Sequence, residues 1–352
     1  MRLCDIPTPA LVIDEGILMQ NEAAMAALTA GRISLRPHYK SHKCASLARR
    51  QIEKGAKGMT CAKLSEAEDL ADEGIEDILI ANQIFGEERL LRAALLARRC
   101  RLTVCVDSEA GVLALSRAAE AVGSHIHAYV EYDIGMERCG VHSHEAVVRL
   151  ALLLRDSKGV SFDGVQAYAG HISHEVSAEK RAAFVEANGR DLKDLLAKLE
   201  AAGVPARELS GGSTGTAKEK AAEGLYTELQ AGSYLMMDAT YRLLQTPFQN
   251  SLFILATVIT AREGHAVLDV GVKGLGIDQG MPLPVGFTAE QIAAHEEHLL
   301  LTRPSVPLAR GERVRLIPGH CCSTVNLYDK IYLVKGDKVT GRLFVTARGK
   351  SQ

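Results

Sequence analysis

From about residue 33 to about residue 240, short β-like runs alternate with amphipathic helical stretches, and no other feature of the chain constrains its fold as strongly. The β-like runs are ISLRPHYK, GMTCAK, DILIAN, RLTVCVD, HIHAYVEYDI, VSFDGVQAYAGH, RELSGG and TELQAGSYLMM. Between them lie KCASLARRQIEKG, LSEAEDLADEG, GEERLLRAALLARR, SHEAVVRLALLLRDS and AEKRAAFVEANGRDLKDLLAKLEAAG. Their apolar residues recur three and four positions apart, and several end in glycine. Such alternation implies parallel strands joined by right-handed crossovers. Eight strands in about 200 residues match the number and size of a (β/α)8 barrel of the TIM type, with a doubly wound open sheet as the alternative arrangement.

Beyond about residue 245 the pattern changes. SLFILATVITARE, HAVLDVGVK, RVRLIPGH and DKIYLVKGDKVTGRLFVTARGK are β-rich with turn signals, and only TAEQIAAHEEHLLL has a helical appearance. A barrel over residues 15–245 and an antiparallel β domain over 246–352 are therefore expected. The early strand candidate TPALVID places residues 1–14 as a candidate addition to the second domain.

The 352 residues are 47% hydrophobic and 24% charged, with a formal charge of −2. That balance gives no electrostatic bias toward nucleic acid or a membrane surface. The longest apolar run, SLFILATVITA, is too short to span a bilayer. MRLCDIPTPALVIDEG has Asp5 and two prolines where a signal peptide needs an apolar core. The protein is expected to be cytoplasmic and to act on a small molecule. Its eight cysteines are scattered through apolar segments, as reduced core thiols are.

In barrels of this kind the chemistry sits at the C-terminal ends of the strands. SLRPHYKSHKCAS ends the first strand with Lys40, while Lys43 reads as a solvated residue already in the next helix. His38 and Lys40 are two apart and can share a strand face. GGSTGT (211–216) follows strand seven and AGSY (231–234) lies on strand eight, where barrels commonly bind phosphate. Neither loop has dinucleotide or P-loop spacing. A phosphate cradle opposite a lysine suggests pyridoxal phosphate, with Lys40 and Lys43 competing for the covalent link and Lys40 favoured by its place at the strand end.

RPHYKSHK, CAKLSEAE, DILIANQI, DIGMERCGV, QAYAGHISH, GGSTGT and PGHCCSTVNLYD together resemble the fold-type III pyridoxal-phosphate enzymes. The matching branch holds D-threonine aldolase, D-serine dehydratase and the D-3-hydroxyaspartate aldolases and dehydratases. The resemblance implies an alanine racemase-like barrel with a C-terminal β domain. It implies Lys40 as the lysine that carries the cofactor, Arg138 near the cofactor's phenolic oxygen, and Tyr168 near its ring nitrogen. It also implies His171 as a catalytic pocket residue. Ser213, Thr214, Gly215, Thr216, Gly232, Ser233 and Tyr234 would hold the phosphate.

PGHCCSTVNLYD carries the metal expectation. On a strand, His320 and Cys322 would share a face and Cys321 would point away, leaving a two-ligand site with open positions. The flanks look like the aldolases, which have Asp where this chain has Cys322, whereas a cysteine there looks like the dehydratases. A thiolate favours Zn²⁺ over Mn²⁺ or Mg²⁺. The implied activity is that of a lyase on D-3-hydroxy amino acids, using pyridoxal phosphate and a divalent metal. It would proceed by dehydration and deamination or by retro-aldol cleavage to glycine and an aldehyde. An amino-acid racemase using Tyr328 or Tyr332 as its second base is the alternative. A non-catalytic carrier of the cofactor fits poorly with the extra β domain. Expected partners are the D-amino acid and, in a homodimer, a second copy of the chain; nucleic acid and membrane are not expected.

Overall fold

The structure is a computed structural model that describes residues 1–352, and it divides into two compact units. One comprises Ala26–Lys40, Leu47–Gly232 and Lys350–Gln352; the other comprises Met1–Met25, Ser41–Ser46 and Ser233–Gly349.

The chain opens with β1 (Ala10–Asp14) and α1 (Glu15–Thr29). The first unit then contains eight parallel strands: β2 (Ser34–Leu35), β3 (Met59–Cys61), β4 (Asp77–Ile80), β5 (Arg101–Val106), β6 (Ile126–Glu131), β7 (Val160–Ala167), β8 (Glu208–Gly211) and β9 (Glu228–Leu229). Their order is β2-β9-β8-β7-β6-β5-β4-β3. The ring closes between the first strand segment and β3, where the Thr60 amide donates to Pro37 O at 2.8 Å and His38 bridges Thr60. The expected barrel is therefore present.

The intervening helices are α2 (Ala45–Glu53), α3 (Leu64–Asp72), α4 (Glu87–Leu96), α5 (Glu109–Val122), α6 (His144–Asp156), α7 (Ala178–Ala201) and α8 (Ala217–Glu223). Their ends follow from local chemistry. Ser108, Ser143 and Ser177 accept hydrogen bonds from the amides of Gly111, Ala146 and Lys180, capping α5, α6 and α7. Gly123 stops α5 with φ 62°, a left-handed conformation that favours glycine.

ISLRPHYK is mostly not strand. Only Ser34–Leu35 pairs continuously, because Pro37 has no amide to give to a ladder. Between these short edges the interior holds charge. Arg36 is 1% exposed and donates through Nε (3.0 Å) and Nη2 (2.9 Å) to Glu228 Oε1, and through Nη1 to Asp77 at 2.8 Å. Glu228 also receives Tyr129 Oη at 3.1 Å and lies 2.8 Å from Lys57 Nζ. Burial opposes both charges, but their attraction outweighs it: the Arg36 pKa rises and that of Glu228 falls.

In the other unit the sheet order is β13-β14-β11-β10-β1-β16-β17, with β15 paired to β10 and β12. These strands are β10 (Leu252–Arg262), β11 (His265–Leu268), β12 (Leu283–Pro284), β13 (Ala289–Ala294), β14 (Leu299–Pro304), β15 (Arg313–Ile317), β16 (Lys330–Lys335) and β17 (Lys338–Phe344). TPALVID does join this sheet: β1 runs antiparallel to β10 and parallel to β16. Every other pairing is antiparallel. Ile6, Val12, Phe253, Leu255, Tyr332 and Val334 form the core of one face.

The helix expected in TAEQIAAHEEHLLL is instead a hairpin, β13–β14, turned where the His295 amide donates to His298 O at 2.8 Å. Leu299 and Leu301 are fully buried and alternate with partly exposed Leu300 and Thr302. Pairing to β11 decides the conformation, and the local helical propensity of Ala, Glu and Gln yields to it.

Arg36→Ala leaves Glu228 buried with Lys57 as its remaining cationic neighbour. We expect a loss of about 3 kcal/mol, the lower end for breaking a buried pair, read as a lower urea midpoint by circular dichroism. Because the Glu228 pKa is lowered on folding, its contribution is present above the unfolded carboxyl value and disappears as pH falls through the folded one. The difference between wild type and variant should therefore shrink in acid.

Candidate active site

The barrel unit contains a cavity of ≈ 180 Å³ at the C-terminal ends of its strands. Lys40, Asn82, Arg138, Gln166, Tyr168 and Gln230 supply its polar lining, with His38 beside them. Each lies at or just after the end of a barrel strand, where successive β–α connections bring distant residues together.

Lys40 sits in a 3₁₀ turn, Tyr39–Ser41, just beyond the closing bridge at His38. Its amide donates to His38 Nδ1 at 3.3 Å, so that nitrogen is an acceptor and a neutral His38 carries its proton on Nε2. Tyr168 follows β7 and lies between two cations. Lys40 Nζ is 5.9 Å and Arg138 Cζ 5.3 Å from its ring centroid. Arg138 is on the loop after β6, with Nη2 3.8 Å from Glu131 Oε1. Burial raises the Glu131 pKa, while Gln83 and Arg138 partly oppose that rise. Gln230 Nε2 donates to Gln166 Oε1 (3.0 Å) and Ser210 Oγ (2.9 Å), fixing both amides on the cavity floor. A primary amine, a guanidinium and an aromatic ring around one small cavity suit an anionic aromatic aldehyde, and pyridoxal phosphate is one.

The other expected residues are distributed as follows. Ser213, Thr214 and Thr216 are buried in the loop after β8, with the Ser213 amide donating to Thr216 Oγ1 at 3.1 Å. They and Gly215 are not among the residues lining the cavity. Gly212 precedes them with φ 73°, and a Cβ there would stand 2.7 Å from Leu229, so glycine is required twice over. Gly232 is buried, Ser233 Oγ lies 4.0 Å from Cys322 Sγ, and Tyr234 packs its ring on Phe248. His171 lies in the turn after β7, exposed and edge-on to Phe184, and does not line the cavity.

Two expectations need correction. Lys43 is not a solvated helical residue: it precedes α2 with φ 47°, is 8% exposed, and its Nζ donates to Ala347 O at 3.4 Å. The C-terminal segment binds it, since the Ala347 amide also donates to Lys43 O at 3.1 Å. Nor do His320 and Cys322 lie on a strand. His320 is the extended N-cap residue of α9 (Cys321–Val325), so helical geometry, not strand alternation, places the pair. Cys322 nevertheless acts on the His320 ring and raises its pKa.

Cys321 is fully buried, its amide donating to Asp238 Oδ2 at 3.0 Å, while Cys322 is half-buried. His320 Nδ1 donates to Asp278 Oδ2 at 2.7 Å, a partner that no sequence spacing announced. Burial lowers the His320 pKa, but Cys322 and Asp278 outweigh it and lift it to about 9. A thiol and an imidazole two positions apart at one helix start suit a borderline-soft divalent ion such as Zn²⁺. No cluster of three or more His, Cys, Asp or Glu residues suited to a metal exists in the chain, so such a site would keep positions open to other ligands.

Comparisons agree with this anatomy. The family model for the alanine racemase N-terminal domain matches residues 13–240, and that for a putative serine dehydratase domain matches 251–334. The chain is 36% identical to D-threonine aldolase of Arthrobacter sp, covering 99% of this chain and 95% of that protein. It is 36% identical to 3-hydroxy-D-aspartate aldolase of Paracoccus denitrificans (strain Pd 1222), covering 98% and 93%. With D-threo-3-hydroxyaspartate dehydratase of Delftia sp. (strain HT23), identity is 31% and coverage 92% of each. Among solved structures, D-threonine aldolase from Filomicrobium marinum superposes with a TM-score of 0.96 at 35% identity, covering 100% and 98%. A metal-free cysteine-to-alanine mutant of D-threo-3-hydroxyaspartate dehydratase gives 0.87 at 28%, covering 98% of each chain.

The burial of Cys321 generates a stability prediction. Cys321→Ser puts a more polar hydroxyl into a fully buried position and should lower stability by about 1–3 kcal/mol. Cys322→Ser, at a half-buried position, should change it by less. Differential scanning calorimetry of both variants checks the order.

Proposed function

Because the chain belongs to the alanine racemase-like family that contains the D-threonine aldolases, 3-hydroxy-D-aspartate aldolases and D-threo-3-hydroxyaspartate dehydratases, we propose that it is a lyase of D-3-hydroxy amino acids that uses pyridoxal phosphate and a divalent ion, most simply Zn²⁺, and dehydrates its substrate to a keto acid and ammonia. The observation that carries this reading is the placement of His320 and Cys322 at the start of one helix, with Cys322 raising the His320 pKa. A related dehydratase is known in a metal-free form as a cysteine-to-alanine mutant, which supports Cys322 as a ligand.

When bound, pyridoxal phosphate supplies an electron sink at the substrate Cα, and the divalent ion supplies a Lewis acid for the 3-hydroxyl. Lys40 would be the covalent anchor and, when free, the base for the α-proton. Arg138 would neutralise negative charge at the cofactor's phenolic oxygen. Tyr168 would offer the ring nitrogen a neutral hydroxyl, which favours modest rather than full carbanion stabilisation. The phosphate role of Ser213, Thr214, Gly215, Thr216, Gly232, Ser233 and Tyr234 rests on the family resemblance. His171, exposed in the turn after β7, is the candidate proton carrier for departing oxygen.

Retro-aldol cleavage is the second reading, favoured by higher identity to two aldolases, 36% each, than to the dehydratase, 31%. The racemase reading loses support from its own required base. Tyr328 Oη donates to Gly274 O at 2.9 Å and Tyr332 is in the β core.

Product analysis with D-3-hydroxyaspartate, D-threonine and D-serine tests the reaction. Ammonia and a keto acid are expected; glycine and an aldehyde would establish the retro-aldol reading instead. Lys40→Ala should abolish the visible absorbance of the lysine-bound cofactor, and borohydride reduction of wild type should place the pyridoxyl adduct on Lys40. An adduct on Lys43 would overturn that assignment.

Exhaustive chelation should remove lyase activity, and added Zn²⁺ should restore it. Cofactor absorbance should persist throughout. Full activity after chelation is incompatible with the metal reading.

A further inference from the structure

Asp278 has no role in the chemistry described so far, yet the chain builds an unusually close clamp around it. Its Oδ2 accepts from His320 Nδ1 at 2.7 Å, and its Oδ1 accepts from Ser323 Oγ at 2.5 Å. The segments on either side approach so closely that side chains are excluded. A Cβ on Gly276 would stand 2.1 Å from Ser323 Oγ, and a Cβ on Gly319 would stand 1.9 Å from Gly280 O. Thr324 ties the same two segments together. Its Oγ1 accepts from the Gly276 amide at 3.0 Å and donates to His320 O at 2.7 Å.

As an ion pair this arrangement contributes little. The Asp278 side chain is 53% exposed, and pairs so open to solvent are screened and weakly stabilising. As an orienting device it does more. A carboxylate has only acceptors, so a neutral His320 bonded through Nδ1 must carry its proton there. That puts the ring's lone pair on Nε2, the form in which an imidazole binds a metal.

We infer that Asp278, held by Ser323 and by the glycine contacts at Gly276 and Gly319, is the positioning residue that fixes the tautomer and ring orientation of His320 for metal binding through Nε2. This rests on the reading of His320 and Cys322 as the metal pair, and it assigns the third member that makes the pair directional. In this assignment Asp278 acts through His320 and is not itself a ligand.

The full-length protein carrying ¹⁵N-labelled histidine tests this in two steps. In chelator-treated wild type held above the raised His320 pKa of about 9, NMR should show neutral His320 protonated on Nδ1, and Asp278→Ala should shift it to a tautomer mixture. Zn²⁺ titration by equilibrium dialysis should then show about 10- to 100-fold weaker binding in Asp278→Ala. Asp278→Asn, which keeps an acceptor but not the charge, should fall between. Ser323→Ala should weaken binding less, in the same direction, and gives a reading should Asp278→Ala fail to fold.

If wild type binds Zn²⁺ and Asp278→Ala binds it equally with an unchanged tautomer, the positioning role is overturned while the metal reading stands. If wild type takes up no Zn²⁺, the metal reading is overturned and this inference with it.

Discussion

The barrel depends on a bond between two of its shortest strands. β2 and β9 each contribute only two residues to the ladder, and backbone bonds from the Arg36 amide to Leu229 O (2.9 Å) and from the His38 amide to Ala231 O (3.4 Å) extend the seam. Arg36 and Glu228 join them inside, with two guanidinium nitrogens on one carboxylate oxygen and with Tyr129 and Lys57 completing the coordination of the charge. A buried pair of this kind is weak evidence for net stability relative to an apolar core, but breaking it is costly. Its value here is geometric: it fixes the β2–β9 seam, and four residues beyond Arg36 the chain brings Lys40 to the cavity.

The cavity shows how a barrel assembles chemistry from residues that are remote in sequence. Lys40, Arg138 and Tyr168 come from three different β–α connections, and each is placed by the end of its own strand. Tyr168 between two cations makes the site electrostatically coherent, and the Gln166–Gln230 amide pair gives it a floor whose polar groups are satisfied by one another. A satisfied polar floor is rigid, and rigidity is what a cofactor site requires of its surroundings.

The C-terminal unit achieves the same precision with a different device. His320 caps the helix that Cys322 enters, and Asp278 meets His320 because glycines allow two backbone segments to touch. Strand alternation was expected for this motif, and helix-start geometry takes its place.

The amino-acid sequence by itself determined the eightfold alternation, the change to an antiparallel domain near residue 245, the positions of most helices and the lysine at the end of the first strand. Each of those rests on periodicity or on capping residues, which act over a few positions and are therefore visible locally. Seven ordered motifs carried the family. Tertiary structure alone decided the remainder. β13–β14 became a hairpin because β11 offered a pairing edge that helical propensity could not match. Lys43 was buried because the C-terminal segment binds it. Asp278 reached His320 across a sequence separation of 42 through contacts that no periodicity encodes. Local sequence reports the free energy of short segments, whereas long-range pairing, burial and close backbone approach depend on surfaces that exist only once the chain has folded.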